Sequence, residues 1–318
     1  MERAFWLRSP GQGEIRPTDL PQYVPGTVLV RTLYSGVSRG TETVVFRGAV
    51  PTSQYSAMRA PFQEGDFPAP VKYGYLNVGI VEQGPDDLVG KTVFCLYPHQ
   101  TRYVVPIGMV TVVPDDVPAE RAILAGTVET AVNVAWDARP RLGDRIAVVG
   151  AGMVGASVAR VLSAYTQVQL VDVDPERAAV AEALGVEFRL PQDADDGCDQ
   201  VIHASATEAG LATALRLVAA EGEVVEVSWY GDRQVSVPLG EWFHSRRLTI
   251  RASQVGTVGH PQRDYAQRLA LTMSLLADPA YDALISGEFS FDELPQVLPK
   301  LVSGELHGLC LRISYQNG

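Results

Sequence analysis

The fold of this chain is decided by the stretch Arg145-Ile146-Ala147-Val148-Val149-Gly150-Ala151-Gly152-Met153-Val154-Gly155. The β-branched run before Gly150 predicts a buried parallel strand, and the residues after Gly155 predict a helix. A second strand, 168–172, ends in Asp172, which lies 22 residues after Gly150. Strand, glycine turn, helix, strand and terminal acid in this order are the fingerprint of a dinucleotide-binding unit. We therefore expect the chain to bind a nicotinamide or flavin dinucleotide.

Each glycine of this turn has a physical role. Gly150 allows the tight turn, Gly152 lets the backbone approach a pyrophosphate, and Gly155 lets the helix pack closely on the strand. The phosphates would rest on N–H groups at the helix N-terminus, where the helix dipole favours negative charge. We therefore expect Met153 and Val154 to bind the cofactor together with the three glycines.

Asp172 bears on the choice between NAD and NADP. A carboxylate at this strand end can accept hydrogen bonds from both ribose hydroxyls, and it would repel a 2′-phosphate. Arg177 is close enough in sequence to weaken that preference. The sequence favours NAD and leaves NADP open.

Composition excludes several classes of function. With 46% hydrophobic and 20% charged residues, the 318-residue chain is typical of a globular protein with two domains. A formal net charge of −11 argues against a nucleic-acid partner. The lack of a long apolar run or a signal-peptide pattern predicts no membrane segment and a cytoplasmic location. Three widely spaced cysteines, Cys95, Cys198 and Cys310, predict neither disulfides nor a metal cluster.

Two regions of the chain differ in their pattern of predicted strands and helices. Up to about residue 115, short β-branched runs separated by Gly and Pro predict an irregular β domain that closes into a small barrel. From residue 119 onward, strands and helices alternate, which predicts a doubly wound parallel sheet. A helix is expected over 119–138, a strand over 199–204 and a further strand over 223–228. A last strand, 309–314, is expected to fold back onto the N-terminal part.

This layout resembles the medium-chain dehydrogenase/reductase superfamily over nearly the whole chain. The matching segments are Tyr34-Ser35-Gly36-Val37-Ser38, Tyr73-Gly74-Tyr75-Leu76-Asn77-Val78-Gly79 and the glycine turn with Asp172. Residues 35–42 are also similar to a loop of bacteriochlorophyllide dehydrogenases. The resemblance implies an α/β fold, with a GroES-like β-barrel catalytic domain at 1–118 and 259–318 and a Rossmann domain at 119–258.

The zinc ligands of that superfamily do not match. Its zinc enzymes place Cys, His and Cys or Glu around a catalytic metal. By the resemblance, those positions hold Ser38, Tyr75 and a residue near Gly126 in this chain. A hydroxyl, a phenol and a bare backbone cannot make a tetrahedral zinc site, so we expect no zinc.

Without a metal, protein groups must handle the charge that develops on the substrate oxygen. The resemblance places Tyr75 facing the nicotinamide and His99 on a loop beside the substrate pocket, so each is a candidate proton donor. Ser38 stands in the loop that carries a zinc ligand in the zinc enzymes of the superfamily. By the resemblance, Glu129 lies on a helix beneath the cleft, where it could bind a substrate amine or hydroxyl. The alternatives are a packed Tyr75, a solvated His99 and a partnered or exposed Glu129.

Two serines follow strand ends where such folds contact the cofactor. Ser205 and Ser228 are therefore expected to contact the ribose and nicotinamide.

The function expected is zinc-independent, NAD(P)-dependent interconversion of an alcohol and a ketone or aldehyde, or reduction of an activated double bond. The alternative is a dinucleotide-binding protein without turnover, such as a redox sensor or structural subunit. We expect a small-molecule substrate, bulky or aromatic, and a homodimer that pairs through an edge strand at 235–237.

Overall fold

The computed structural model describes residues Met1–Tyr315 and divides the chain into two compact units. The first unit comprises Met1–Gly126, Met273–Ala277 and the residues from Ile285 onward. The second comprises Thr127–Thr272 and Asp278–Leu284. The sequence predicts boundaries after residues 118 and 258. These lie earlier in the chain than the divisions after Gly126 and Thr272, and they stay a prediction.

The first unit is mainly β-structure. Its strands are β1 (Glu2–Ser9), β2 (Gln12–Thr18), β3 (Thr27–Ser38), β4 (Glu64–Gly65), β5 (Val71–Lys72), β6 (Asn77–Gln83), β7 (Thr92–Cys95), β8 (Arg102–Pro106), β9 (Thr111–Val112), and, after the strands of the second unit, β16 (Ile285–Ser290) and β17 (Cys310–Ser314). Its helices are α1 (Thr41–Phe46), α2 (Ala119–Ala122) and α8 (Leu294–Ser303).

The second unit alternates strands and helices. Its strands are β10 (Arg145–Val149), β11 (Gln167–Val171), β12 (Glu187–Arg189), β13 (Cys198–His203), β14 (Val218–Glu226) and β15 (Thr249–Ala252). Helix α3 (Ala125–Ala138) enters this unit, which also contains α4 (Met153–Ser163), α5 (Arg177–Ala183) and α6 (Glu208–Leu217). Helix α7 (Tyr265–Leu275) begins in this unit, and its residues from Met273 onward belong to the first unit.

Strand β3 organises the first unit. A seven-stranded sheet has the order β16-β17-β3-β6-β7-β9, with β8 also paired to β3, and a four-stranded sheet has the order β2-β1-β5-β4. Strand β17 pairs antiparallel with β3, opposing Cys310 to Ser38 and Ser314 to Tyr34. This confirms that the last strand returns to the N-terminal part. One core cluster lies under β3, β6, β7 and β8, and its buried members are Val28, Val30, Val81, Val93, Cys95, Tyr97, Tyr103 and Val105.

The second unit is a six-stranded parallel sheet in the order β12-β11-β10-β13-β14-β15. Counted from β10, this is the strand order 3-2-1-4-5-6 of the doubly wound dinucleotide-binding fold. The order reverses between β10 and β13, so the crevice at their carboxyl ends is the topological switch point where such sheets bind ligands. The predicted doubly wound sheet is therefore confirmed.

Two local predictions were wrong. The helix expected over 119–138 is two helices, α2 and α3, separated at Ile123 and Leu124. Residues 235–237 form no strand, because the N–H of Ser236 donates to Glu208 Oε1 and Val237 packs on the core of the sheet. The edge strand of the sheet on this side is β15.

Within Met1–Tyr315, none of the helices is both long and apolar enough to cross a lipid bilayer.

Candidate active site

The glycine turn has the geometry that the sequence predicts. Gly150 follows β10 with a φ of +110°, and a Cβ at this position would come within 2.6 Å of the Ser205 backbone nitrogen. A Cβ on Gly155 would overlap the carbonyl oxygen of Gly150. Only glycine fits at either position, since one needs a left-handed backbone and the other allows no side chain.

Gly152 differs from the other two glycines. Its backbone is extended, and a Cβ there would have no atom within 4 Å. It lies directly before α4, whose first N–H groups at Met153 and Val154 have no intrahelical partner. A free cradle beside unpaired N–H groups at a helix N-terminus fits a phosphate, so these residues suit the pyrophosphate of a dinucleotide.

Asp172 follows β11 and lies beside this turn. Its Oδ2 accepts a hydrogen bond from the Ala151 N–H at 2.6 Å, and its Oδ1 accepts one from the Asp174 N–H at 2.9 Å. Arg177 is paired with Asp174 at 3.2 Å. The carboxylate is thus fixed in position, and the nearby arginine is engaged by another acid.

Ser205 and Ser228 are joined by a polar network at the ends of β13 and β14. The Ser205 hydroxyl lies 2.7 Å from His203 Nε2, and His203 Nδ1 lies 2.7 Å from Glu226 Oε2. Glu226 Oε1 accepts the N–H of Ser228 at 2.8 Å, and the Ser228 hydroxyl accepts the N–H of Ala206 at 3.0 Å. A single carboxylate therefore connects both serines.

A second polar network is buried in the first unit and includes His99. The His99 Nε2 donates to Glu42 Oε2 at 3.0 Å, while its Nδ1 lies 2.7 Å from the Ser35 hydroxyl. The Ser35 hydroxyl lies 2.9 Å from that of Tyr315. Only 1% of the His99 side chain is exposed, so the alternative of a solvated His99 was wrong. Its place beside the substrate pocket stays a prediction.

Tyr75 connects to this network through the loop that carries Ser38. Glu42 Oε1 accepts the Ser38 N–H at 2.8 Å, and the hydroxyls of Ser38 and Thr41 are near enough to Tyr75 to affect its pKa. Burial raises the pKa of Tyr75 well above its usual range; the Glu42 charge adds to the shift and the two hydroxyls oppose it. The phenol is therefore a neutral hydrogen-bond donor at neutral pH.

The positions implied for zinc ligands also come together in the first unit. Ser38 is near enough to Tyr75 to affect its pKa, and Gly126 packs so closely on Leu76 that a Cβ would lie 2.6 Å from its Cδ2. Among Met1–Tyr315, no group of three or more His, Cys, Asp or Glu side chains is arranged to hold a metal ion. This donor set does not fit a catalytic zinc ion.

Glu129 belongs to neither network. On α3, its Oε1 pairs with Arg268 at 2.9 Å, and both side chains are buried. Arg268 also donates to Asn133 Oδ1 at 2.5 Å and to the Val255 carbonyl at 2.8 Å. Burial raises the pKa of Glu129, and Arg268 opposes that shift. These contacts are those of the partnered alternative, so we do not place Glu129 in the site.

Sequence reasoning overlooked Ser35, Tyr315 and Glu226. Tyr315 directly follows β17, and Glu226 is an acid at the end of a β-branched strand. Glu226 could have been predicted from the sequence, because it is an acid at the carboxyl end of a strand that neighbours the strand ending in His203. Tyr315 could have been predicted from the expected return of the last strand to β3.

Comparison with solved structures confirms the fold. The chain matches 2R,3R-butanediol dehydrogenase from Bacillus subtilis with a TM-score of 0.79 at 18% identity, covering 99% of this chain and 100% of that chain. It matches alcohol dehydrogenase TADH from Thermus sp. ATN1 with a TM-score of 0.74 at 21% identity, covering 98% and 99%. A short chain alcohol dehydrogenase from E. coli CFT073, complexed with NADH, gives a TM-score of 0.78 at 16% identity, covering 99% of each chain.

The whole chain thus has the fold of the medium-chain dehydrogenases, as the resemblance implied. No protein-family model matches the sequence. A search of curated proteins gives no match either.

Proposed function

We propose that this chain is an NAD-linked oxidoreductase that interconverts an alcohol and a ketone or aldehyde, or reduces an activated double bond, without zinc. The observation that carries the proposal is the open cradle at Gly152, next to the free N–H groups of α4, at the switch point of the 3-2-1-4-5-6 sheet. All three structural neighbours named above are dehydrogenases, and one of them holds NADH.

The second unit binds the dinucleotide. Gly150, Gly152, Met153, Val154 and Gly155 hold the pyrophosphate, and Asp172 accepts hydrogen bonds from the adenosine ribose. Once bound, the nicotinamide ring supplies or accepts the hydride. NAD is favoured over NADP because a 2′-phosphate would meet the fixed Asp172 carboxylate, while Arg177 is already paired with Asp174.

Tyr75 of the first unit handles the substrate oxygen. Its neutral phenol donates a hydrogen bond to the oxygen on which negative charge grows during carbonyl reduction. The hydroxyls of Ser38 and Thr41 lower the pKa of the phenol and so favour its ionised form when it gives up its proton. We therefore assign Tyr75 and Ser38 to the reaction.

His99 has a positioning role in this proposal. Together with Glu42, it orients the loop of Ser38, because Glu42 accepts hydrogen bonds from both the His99 imidazole and the Ser38 backbone. Zinc plays no part in this proposal. The three positions of its usual ligands are held by Ser38, Tyr75 and a residue near Gly126, and these do not form a zinc site.

The test is a comparison of Tyr75→Phe and wild type with NADH and NAD, on a panel of ketones, aldehydes, alcohols and alkenes. Tyr34→Phe is the matched control, because its hydroxyl bonds to Glu120 in the same unit. We expect Tyr75→Phe to lower kcat by about 100-fold, the usual contribution of a positioned proton donor, with unchanged NADH affinity. Full activity in Tyr75→Phe removes the role of Tyr75. A wild type that binds NADH tightly but never transfers hydride is the non-catalytic alternative.

The identity of the substrate, bulky or aromatic, stays a prediction, as do the homodimer, the cytoplasmic location and the absence of a nucleic-acid partner.

A further inference from the structure

Arg233 is an exposed cation that three contacts hold at the carboxyl edge of the parallel sheet. Its Nη2 donates to the carbonyl oxygen of Ala206 at 2.8 Å, and its Nε donates to that of Tyr230 at 3.3 Å. The guanidinium also lies over the Tyr230 ring, 5.7 Å from the ring centroid. Ala206 follows β13 and Tyr230 follows β14, so Arg233 connects the loops after two neighbouring strands.

The backbone of Ala206 has an unusual conformation at this contact. Its φ is +53°, in the left-handed region, which is unfavourable for a residue with a side chain. The N–H of Ala206 donates to the Ser228 hydroxyl at 3.0 Å, while its carbonyl accepts from Arg233. Strained residues of this kind cluster at ligand sites, because the surrounding structure has to support them. The loop after β13 is thus held in a strained form in which it binds the guanidinium.

The positive charge of Arg233 has no carboxylate partner in the described part of the chain. Its chain neighbour Asp232 is exposed and forms no ion pair with it, Glu226 is hydrogen-bonded within the network of Ser205 and Ser228, and Glu208 accepts a backbone N–H. The contacts to two carbonyls leave Nη1 of Arg233 without a hydrogen-bond partner among the described residues. A guanidinium has five N–H donors in a planar fork that matches a carboxylate. Arg233 can therefore bind an anion without losing an existing ion pair.

The place of Arg233 on the sheet indicates which anion it meets. The pyrophosphate cradle follows β10 and Asp172 follows β11, on one side of the switch point. A dinucleotide lies across the switch point in folds of this kind, so its nicotinamide end is expected on the other side, over β13 and β14. Arg233 is held at the carboxyl ends of those two strands. An anion at this place belongs to the substrate rather than to the pyrophosphate.

We infer that Arg233 binds a carboxylate of the substrate. The substrate class is then a carbonyl compound or alcohol that carries a separate anionic group. This rests on the proposed function, because the substrate is that of the proposed hydride transfer. Arg233 is a specificity-determining residue in this inference, since it touches the substrate away from the reacting atoms.

The experiment measures kcat/KM with NADH for carbonyl compounds that differ only in charge. Each compound is used as the free carboxylate and as its methyl ester, with levulinate as the aliphatic pair and para-formylbenzoate as the aromatic pair. The proteins are wild type, Arg233→Gln, Arg233→Lys and the control Arg247→Gln. Arg247 is exposed in the same unit and pairs with Glu221 at 3.0 Å, so the control removes the same charge elsewhere. Calorimetry gives the Kd of NADH for each protein.

We expect the wild type to prefer the carboxylate of each pair by roughly 10- to 100-fold, the effect of a charge-assisted hydrogen-bonded pair. Arg233→Gln should lose this preference while its activity on the esters and its NADH affinity stay unchanged. Arg233→Lys should keep part of the preference, because the charge remains and the planar fork is lost. Arg247→Gln should behave as the wild type. The preference should also fall as the salt concentration rises, because Arg233 is exposed.

Three results would overturn the inference. The first is equal kcat/KM for carboxylate and ester in the wild type, or a preference that survives in Arg233→Gln. The second is a loss of NADH affinity in Arg233→Gln, which would assign the guanidinium to a phosphate of the cofactor. The third is an equal loss of activity on esters and carboxylates, which would show that Arg233 only supports the loop. A wild type that binds NADH and reduces neither kind of compound contradicts the proposed function, and this inference fails with it.

Discussion

Nε2 of His99 lies 3.0 Å from Oε2 of Glu42, and the two side chains are only 1% and 5% exposed. The other carboxylate oxygen holds the backbone of Ser38. The pair therefore fixes the loop at which Ser38 meets Tyr75. A chain without zinc ligands at this loop has a buried imidazole and carboxylate behind it instead.

Breaking this pair should destabilise the first unit. We expect His99→Ala to lower the free energy of unfolding by about 3–5 kcal/mol, because it leaves Glu42 buried without its partner. The control Glu288→Gln, which breaks the partly exposed ion pair with Arg312, should cost less than about 1 kcal/mol. Urea unfolding monitored by fluorescence gives both values, and equal losses would contradict the buried role of the pair.

Substitutions at two glycines of the turn should affect different properties, one the stability of the fold and the other the binding of NADH. Gly155→Ala should prevent the second unit from folding normally, because its Cβ would overlap the Gly150 carbonyl. Gly152→Ala should leave the free energy of unfolding within about 1 kcal/mol of wild type, since its Cβ meets no atom, and yet weaken NADH binding. Thermal unfolding and calorimetric titration measure the two effects. Undiminished NADH binding in Gly152→Ala would exclude this turn as the pyrophosphate site.

Two buried tyrosines should respond differently to loss of the hydroxyl. The Tyr103 hydroxyl is buried without a hydrogen-bond partner, whereas that of Tyr315 lies 2.9 Å from Ser35. We expect Tyr103→Phe to be neutral or to stabilise the protein by up to about 1 kcal/mol, and Tyr315→Phe to destabilise it by about 1 kcal/mol. Denaturant midpoints distinguish the two variants. A large loss of stability in Tyr103→Phe would show that its hydroxyl has a partner.

The lowered pKa of Glu226 makes stability dependent on pH. Because the folded state binds the proton more weakly than the unfolded state, Glu226 stabilises the fold above its unfolded pKa, and this contribution is lost as the pH falls through the folded pKa. The stability difference between wild type and Glu226→Gln should therefore be largest at neutral pH and shrink below about pH 4. Urea midpoints at several pH values measure it. A difference that is constant with pH would contradict the ionised state of Glu226.

The sequence alone was sufficient for the fold class and the glycine turn. The evidence consists of local patterns: a β-branched run, three glycines and an acid at the end of the next strand. Each pattern indicates a backbone conformation that few other residue types adopt. The returning last strand was likewise predictable, because its β-branched segment is short and stands at the end of the chain.

The partners of the polar side chains were decided only by tertiary structure. Ser35 and Tyr315 are 280 positions apart in the chain, and Glu42 and His99 are 57 apart. A residue type states what a side chain can donate or accept, but not which distant group will be there. His99 is therefore buried rather than solvated, and Glu129 is paired with Arg268 rather than exposed. Backbone geometry follows from neighbours in sequence, whereas the satisfaction of buried polar groups follows from which strands and helices pack together.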